Sequence, residues 1–230
     1  MTVTLITGGS SGIGAAAARL LLDRGHRVAV TGRDPGRLDR LAESCANPGA
    51  LLPLTADAAD PAAMRAAVDA TLERFGRLDA AVANAGSATP DSVVDGDPEG
   101  WRDMVLTNVL GPAVLIRSSI DALRATRGRI VLVGSVAGFI HTPGNLYGAT
   151  KWALTGLAEN TRRAVTADGV GVTLIAPGRV ETTFWDPLGG IPEGRMLTAG
   201  QVAESIAWAI GRPPGVDVNT ITVRPLGQPV

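Results

Sequence analysis

The chain contains a single tyrosine and a single lysine, and they stand four residues apart as Tyr147 and Lys151 in the segment YGATK. On an α-helix this spacing places two side chains on the same face. An ammonium group beside a phenol favours the phenolate and lowers the phenol pKa, which is ordinarily about 10. Arginine fills the other lysine-or-arginine positions, and its larger, planar guanidinium cannot replace a compact ammonium. The pair therefore predicts a tyrosine that acts as a general acid or base near neutral pH.

A glycine-rich segment near the N-terminus, TGGSSGIG at residues 7–14, lies between the first predicted strand and the first predicted helix. Glycines in this position allow a tight turn and let the backbone approach a pyrophosphate, which the helix N-terminus stabilises. We therefore predict a dinucleotide-binding turn, although an ordinary glycine-rich turn is the alternative. The turn residues expected to bind the cofactor are Gly8, Ser10, Ser11, Gly12, Ile13 and Gly14.

Short apolar runs alternate with helical patterns along the chain, which predicts strands covered by helices on both faces. The predicted strands are residues 3–7, 27–31, 51–55, 79–83, 129–133, 170–176 and 220–223. The predicted helices are residues 13–24, 35–44, 61–75, 98–126, 146–167 and 199–211. This regular alternation predicts an α/β fold, a doubly wound parallel sheet of about seven strands in one domain over residues 1–230.

Local signals mark where these elements begin and where they are interrupted. Asp34, Asp60 and Asp97 each precede a proline, which predicts an N-cap carboxylate before a proline at the first helical position. Gly111-Pro112 predicts a kink within the longest helix. Residues 177–198 form a long stretch rich in glycine and proline, and irregular loops of that length are often functional.

With the threonine that precedes them, the glycines follow the spacing TGxxxGxG, which resembles the cofactor motif of the short-chain dehydrogenase/reductase family. Tyr147 and Lys151 resemble the YxxxK motif of the same family, and the resemblance covers nearly all of the chain. Further matches fall at the ends of predicted strands or in the next helix. They are Asp57, Asn84, Ala85, Gly86, Asn108, Ser135, Pro177, Gly178 and Thr182.

The resemblance implies a Rossmann-type fold and a catalytic set of Ser135, Tyr147, Lys151 and Asn108. Tyr147 would give or take a proton on a substrate oxygen that Ser135 orients. Lys151 would lower the tyrosine pKa and bind the nicotinamide ribose, and Asn108 would support a water relay to the lysine. The cofactor contacts that it implies beyond the glycine turn are Asp57, Asn84, Ala85, Gly86, Tyr147, Lys151, Pro177, Gly178, Val180 and Thr182.

The end of the second predicted strand bears on the choice between NADP and NAD. A site for NAD usually has an acidic residue about 20 positions beyond the glycines, to hold the ribose 2′-hydroxyl. This chain has Arg33 there, followed by Asp34. Arg33 can pair with a 2′-phosphate, and Asp34 is better explained as a helix N-cap. We therefore expect NADP(H) to be preferred, with NAD(H) as the alternative.

The family resemblance places the substrate beside Ser135 and Tyr147, between the loop after the fifth strand and the loop at residues 177–198. The expected pocket residues are Val136, Ala137, Phe139, Asn145, Phe184 and Trp185. Ile140 also belongs to this mostly apolar set, and His141 is expected in an exposed loop. The C-terminal residues 221–225, with Gln228 following, resemble the ending of family members that act on 3-hydroxy acids and related small alcohols, which implies a small ketone or secondary alcohol of the 3-hydroxy or 3-keto acid type. The short substrate loop favours a small or open-ended substrate. Arg179 or Arg195 could bind an acidic group on it.

Composition argues against several other classes of protein. The net charge of −1 and the lack of a basic patch argue against a nucleic-acid binder. The two histidines and the lone Cys45 lack the spacing of a metal site. The chain has no apolar stretch long enough to span a membrane and no signal-peptide pattern, so we expect a cytoplasmic protein.

Two further hypotheses remain beside that of an NADP-dependent oxidoreductase with a small-molecule substrate. One is an NAD-dependent dehydrogenase of the same family. The other is a non-catalytic dinucleotide-binding regulator, although such regulators commonly lose the tyrosine or lysine that this chain keeps. A methyltransferase with a similar first strand and helix ranks below both. The family resemblance also implies a homo-oligomer, a tetramer or a dimer.

Overall fold

The computed structural model describes residues 1–228. Its strands are β1 (Val3–Thr7), β2 (Arg27–Gly32), β3 (Leu51–Thr55), β4 (Ala80–Ala83), β5 (Arg129–Val133), β6 (Gly171–Pro177), β7 (Val180–Glu181), β8 (Leu197–Thr198) and β9 (Thr220–Val223). Over these residues, seven strands form one parallel sheet in the order β3-β2-β1-β4-β5-β6-β9, and β7 pairs with β8 separately. The predicted doubly wound α/β fold is therefore confirmed.

Helices cover both faces of the sheet. They are α1 (Gly12–Asp23), α2 (Pro35–Glu43), α3 (Pro61–Phe75), α4 (Pro98–Val105), α5 (Gly111–Thr126), α6 (Leu146–Val165) and α7 (Ala199–Ile210). Side chains of α1, α2 and α7 pack in one core layer, and those of α3, α5 and α6 pack in the other. Because the central strands are buried on both faces, their apolar runs are nearly continuous, as in other parallel sheets.

The three Asp-Pro signals are confirmed as helix starts. Asp34, Asp60 and Asp97 are the N-cap residues of α2, α3 and α4, and each side chain accepts hydrogen bonds from backbone N–H groups of the first turn. These bonds satisfy donors that have no partner within the helix. For most of the other predicted strands and helices, each end lies within two residues of the observed bound, which is the usual uncertainty of element ends.

The longest predicted helix, residues 98–126, is interrupted by a π-helical turn over Leu106–Leu110. The predicted break is confirmed, but it begins one turn before Gly111-Pro112. Pro112 has no N–H, so it cannot donate to the carbonyl of Asn108 four residues earlier. The N–H of Gly111 instead donates to the carbonyl of Leu106, the five-residue spacing of a π-helix. The turn places Asn108 inside the fold, where it is 1% exposed.

The stretch at residues 177–198 is more ordered than a plain loop. Val180 and Glu181 pair in parallel with Leu197 and Thr198, and a 3₁₀ helix occupies Thr183–Leu188. Val180 and Leu197 are buried against the core layer that contains α7, because apolar side chains at both ends of the segment gain by leaving water. The two ends of the segment therefore lie side by side, next to the main sheet.

None of the helices within residues 1–228 is both long and apolar enough to cross a membrane.

Candidate active site

A cleft of about 960 Å³ runs along the carboxyl ends of the sheet strands. The strand order reverses between β1 and β4, and ligands of doubly wound sheets bind at such a switch point. Twenty-one residues predicted to act in catalysis or binding line this cleft. They are Gly8, Ser10, Ser11, Gly12, Ile13, Arg33, Asp57, Asn84, Ala85, Gly86, Ser135, Val136, Ala137, Tyr147, Lys151, Pro177, Gly178, Val180, Thr182, Phe184 and Trp185.

The glycine turn is shaped by positive φ angles and by close backbone contacts. Gly8 and Gly12 have φ of 64° and 52°, a region that L side chains rarely adopt. Gly14 lies outside the cleft lining, where a Cβ atom would collide with the carbonyl of Gly8. Gly14 therefore serves the cofactor turn by letting α1 pack directly on it.

The end of β4 holds this turn in place. The Asn84 side chain donates to the carbonyls of Thr7 and Gly8, at 3.0 Å each. In return, the Thr7 hydroxyl accepts from the backbone N–H groups of Asn84 and Ala85. Two neighbouring strands are thus linked by hydrogen bonds at the point where a dinucleotide would cross the sheet edge.

The residues present fit a nicotinamide dinucleotide. The cleft extends from Arg33 and Asp57, after β2 and β3, to Ser135 and Pro177, at the ends of β5 and β6. Thr31 lines the cleft, and its buried hydroxyl has no hydrogen-bond partner among residues 1–228. Buried polar groups usually have partners, so a polar ligand at this point would satisfy it.

The catalytic candidates meet where α6 crosses the end of β5. Tyr147 and Lys151 lie one turn apart near the start of α6, as their spacing predicted, with the lysine Nζ 5.5 Å from the centre of the phenol ring. The same Nζ donates to the carbonyl of Val133 at 3.2 Å. The Ser135 side chain lies beside the phenol and lowers its pKa. The three side chains therefore form one connected group of neighbouring side chains on the cleft wall.

Burial alters the acidity of both titratable groups. Lys151 is 5% exposed, and removal of its ammonium from water lowers its pKa to about 8. Although part of Tyr147 remains exposed, the protein around the phenol raises its pKa to about 12, against a smaller opposite effect of the Ser135 hydrogen bond. The interpretation that Lys151 brings this pKa toward neutrality is wrong for the chain by itself, because desolvation is the larger effect.

Asn108 does not line the cleft. Its side chain accepts from the N–H of Ser87 at 2.9 Å and donates to the Ser87 carbonyl at 2.8 Å and the Thr150 hydroxyl at 3.0 Å. It therefore joins the loop after β4 to α6 beside Lys151. The water relay expected from the family resemblance stays a prediction.

Two residues expected in the substrate pocket lie elsewhere. Phe139 packs against Trp152, with ring centres 6.5 Å apart, and Asn145 is the N-cap of α6, where its side chain accepts from the N–H of Gly148. Neither residue lines the cleft, so the prediction that they belong to the substrate pocket is wrong. Ile140 does line it, whereas His141 is exposed and stacks on Trp152.

Other cleft residues were missed by the sequence prediction. Arg37 lines the cleft beside Arg33. The sequence contained a signal for this position, because a residue three places after the Asp34 N-cap lies in the first turn of α2, next to the end of β2. Gln228 also lines the cleft, and its side-chain oxygen accepts from the N–H of Arg179 at 2.9 Å. The two residues are 49 positions apart, so no local pattern could have joined them.

Comparison with known proteins was made by sequence and by structure. A family model described as short chain dehydrogenase matches residues 2–189. A curated relative, dehydrogenase/reductase SDR family member 11 of Mus musculus, is 31% identical over 98% of this chain and 95% of its own length.

Two solved structures share the fold over nearly the whole chain. An alcohol dehydrogenase from Thermococcus sibiricus, complexed with 5-hydroxy-NADP, has a TM-score of 0.88 and 27% identity, covering 97% of this chain and 96% of its own. A 3-ketoacyl-(acyl-carrier-protein) reductase from Brucella melitensis, complexed with NADH, has a TM-score of 0.88 and 25% identity, with the same coverage. The two neighbours thus hold different nicotinamide dinucleotides.

Burial of Lys151 predicts that the variant Lys151→Met is more stable than the wild type at pH 7. A fall in pKa from 10.5 to about 8 corresponds to a cost of about 3 kcal/mol while both states are protonated. Met removes that cost but leaves the Val133 carbonyl without its donor, so we expect a net gain of about 1–2 kcal/mol. Urea unfolding at pH 7 measures it.

The gain should disappear as the pH rises from about 8 to 10.5. Over that interval the folded wild type has lost the Lys151 proton while the unfolded chain still binds it, so wild-type stability rises with pH. A Lys151→Met protein that is less stable than the wild type at pH 7 would show that the ammonium is not buried at a cost.

The single tyrosine makes the phenol pKa directly measurable. At pH 10 the phenol of an unfolded chain is about half ionised, whereas a pKa of about 12 keeps Tyr147 protonated in the folded protein. Ultraviolet phenolate absorbance at pH 10 should therefore rise when urea unfolds the protein, with Tyr147→Phe as the blank. Strong phenolate absorbance from the folded protein at pH 10 would contradict the raised pKa.

Proposed function

Because the chain belongs to the short-chain dehydrogenase/reductase family, we propose that it is an oxidoreductase acting on small ketones or secondary alcohols. The dinucleotide, when bound, supplies or accepts the hydride. The observation that carries the proposal is the connected group of Ser135, Tyr147 and Lys151 on the wall of a cleft that fits this cofactor.

Tyr147 is the proposed general acid in reduction and general base in oxidation. Its raised pKa keeps the hydroxyl protonated at neutral pH, which suits donation of a proton to a carbonyl oxygen. In the opposite direction the phenol must become a phenolate, and the Lys151 ammonium near its ring would stabilise that negative charge. The Ser135 hydroxyl, which lies beside the phenol and lowers its pKa, would orient and polarise the same substrate oxygen.

Lys151 and Asn108 would act behind the phenol. Burial brings the pKa of Lys151 to about 8, so most of the lysine carries its charge at pH 7. Asn108 ties Ser87 to Thr150, the neighbour of Lys151. We infer that Asn108 maintains the position of α6 relative to the loop that follows β4.

We infer that NADP(H) is preferred over NAD(H). Arg33 and Arg37 line the cleft beside the end of β2, where two guanidinium groups can bind a 2′-phosphate through charge-assisted hydrogen bonds. Asp34, the rival ligand for a 2′-hydroxyl, accepts from the Arg37 N–H at 3.2 Å and pairs with the Arg37 side chain at 3.4 Å. This engagement of Asp34 in capping supports the choice of NADP(H).

We also infer that the chain forms a dimer or a tetramer. Val105, Leu110 and Trp152, on α4, the π-helical turn and α6, are 39%, 42% and 41% exposed. Apolar groups of this size on the helices around the active site suit a contact between copies. Such a contact would stabilise the helix that carries Tyr147 and Lys151.

Replacement of Tyr147 by Phe tests the proposed chemistry. Because the phenol transfers the proton, we expect kcat for reduction of methyl acetoacetate to fall by about 10²–10⁴-fold. The NADPH dissociation constant should change little, since the ring remains. A variant that keeps most of its kcat would refute the role of Tyr147, and a wild type that binds NADPH but reduces no ketone would favour the non-catalytic regulator.

The choice of cofactor is tested by Arg33→Ala and Arg37→Ala. Each loses charge-assisted hydrogen bonds of about 1.5–3 kcal/mol, so the ratio of kcat/KM with NADPH to that with NADH should fall about 10- to 100-fold. Arg40→Ala is the matched control, because Arg40 is exposed on the same helix but lies outside the cleft. A wild-type ratio below one would overturn the preference for NADP(H).

A further inference from the structure

We propose that Arg179, positioned by Gln228, forms a subsite that binds a carboxylate of the substrate, so that the preferred substrates are small keto or hydroxy acids. This inference rests on the proposed oxidoreductase function. It assigns a role to the first residue beyond Pro177 and Gly178 and to a residue of the C-terminal tail.

Arg179 lies in the same cleft as the catalytic group. It follows the end of β6, and its backbone is held on both sides: its N–H donates to the Gln228 side chain at 2.9 Å, and its carbonyl accepts from the Leu197 N–H at 2.8 Å. Gly178 makes this arrangement possible, because a Cβ atom there would collide with the Gln228 side-chain oxygen. The tail and the substrate loop thus set the start of the arginine side chain.

The guanidinium of Arg179 retains donors for a ligand. Its Nη1 donates to the carbonyl of Glu193 at 3.1 Å, whereas an arginine has five N–H donors in a planar fork that matches a carboxylate. No ion pair within residues 1–228 involves Arg179. In this part of the chain, its positive charge is therefore not neutralised by a protein carboxylate.

The charges along the cleft differ between its two ends. Among residues 1–228, two carboxylates line the cleft, those of Asp34 and Asp57. They follow β2 and β3, at the end where Arg33 and Arg37 would bind the 2′-phosphate. Beside the catalytic group the charged lining residues of the same range are Lys151 and Arg179. Lys151 is engaged with Val133 behind Tyr147. Arg179 is thus the cation available to an anionic substrate.

The structure also separates the two arginines that the sequence left as alternatives. Both side chains are exposed, but Arg179 lines the cleft and Arg195 does not. Apolar side chains of the same wall include Phe184, whose ring centre lies 5.6 Å from that of Tyr147. A small molecule with one carboxylate and one keto or hydroxyl group matches this combination, because the arginine binds the charge while Tyr147 and Ser135 bind the reacting oxygen.

Acetoacetate and its methyl ester test the subsite, since both offer the same keto group and differ in charge. We expect wild-type kcat/KM to favour acetoacetate, and Arg179→Gln to lower the ratio of acetoacetate to ester by about 10- to 100-fold. Arg179→Lys should recover part of the ratio, and Arg195→Gln, the matched control, should leave it unchanged. Circular dichroism and NADPH binding confirm that each variant is folded.

A second measurement needs no variant. Butyrate should inhibit wild-type reduction of the methyl ester at least 10-fold more tightly than butyramide, which has a similar shape without the charge. Equal inhibition, or a substrate ratio that Arg179→Gln leaves unchanged, would overturn the subsite. If the wild type binds NADPH but reduces neither compound, the proposed oxidoreductase function fails together with the subsite. If it reduces both compounds without a preference that depends on Arg179, only the subsite fails.

Discussion

Burial of the Lys151 ammonium costs free energy, because a charge leaves water with one carbonyl, that of Val133, as its described hydrogen-bond partner. Much of the site is arranged around this group. A Cβ atom on Gly86 would lie 3.5 Å from the Nζ and 3.3 Å from the Asn108 side-chain oxygen, so the glycine leaves room for both. Asn108 in turn reaches the interior because a π-helical turn replaces regular helix before Pro112. The protein thus tolerates a destabilising charge to keep a cation behind the phenol.

Burial in the same part of the site also explains the pKa values of Tyr147 and Lys151. The pKa of the phenol is raised to about 12, and the pKa of the ammonium is lowered to about 8. The protein by itself therefore favours the neutral form of both groups. Charge that develops on the substrate oxygen, or arrives with an oxidised cofactor, then acts in a weakly solvated site where electrostatic effects are large. Ser135 links the phenol to the place where that oxygen would lie.

Parallel strands bring these distant segments together. Because the carboxyl ends of all the sheet strands face one edge, the glycine turn, Asn84, Ser135 and Pro177 meet along a single cleft. The reversal between β1 and β4 opens the edge, and Asn84 holds it with bonds to Thr7 and Gly8. The cleft has chemically different ends, with Arg33 and Arg37 at one and Arg179 at the other. In the proposed function, cofactor and substrate would be selected by these separate groups.

The sequence by itself determined the elements, the glycine turn and the pairing of Tyr147 with Lys151. These depend on local rules: an Asp before a Pro caps a helix, a positive φ favours glycine, and a four-residue spacing shares a helix face. The tertiary structure decided the properties that depend on distant neighbours. Phe139 and Asn145 do not line the cleft. Phe139 instead packs against Trp152, and the Asn145 side chain caps α6. Gln228 reaches Arg179 across 49 positions. The Tyr147 pKa rises because desolvation, set by packing from several elements, exceeds the opposite effect of Ser135.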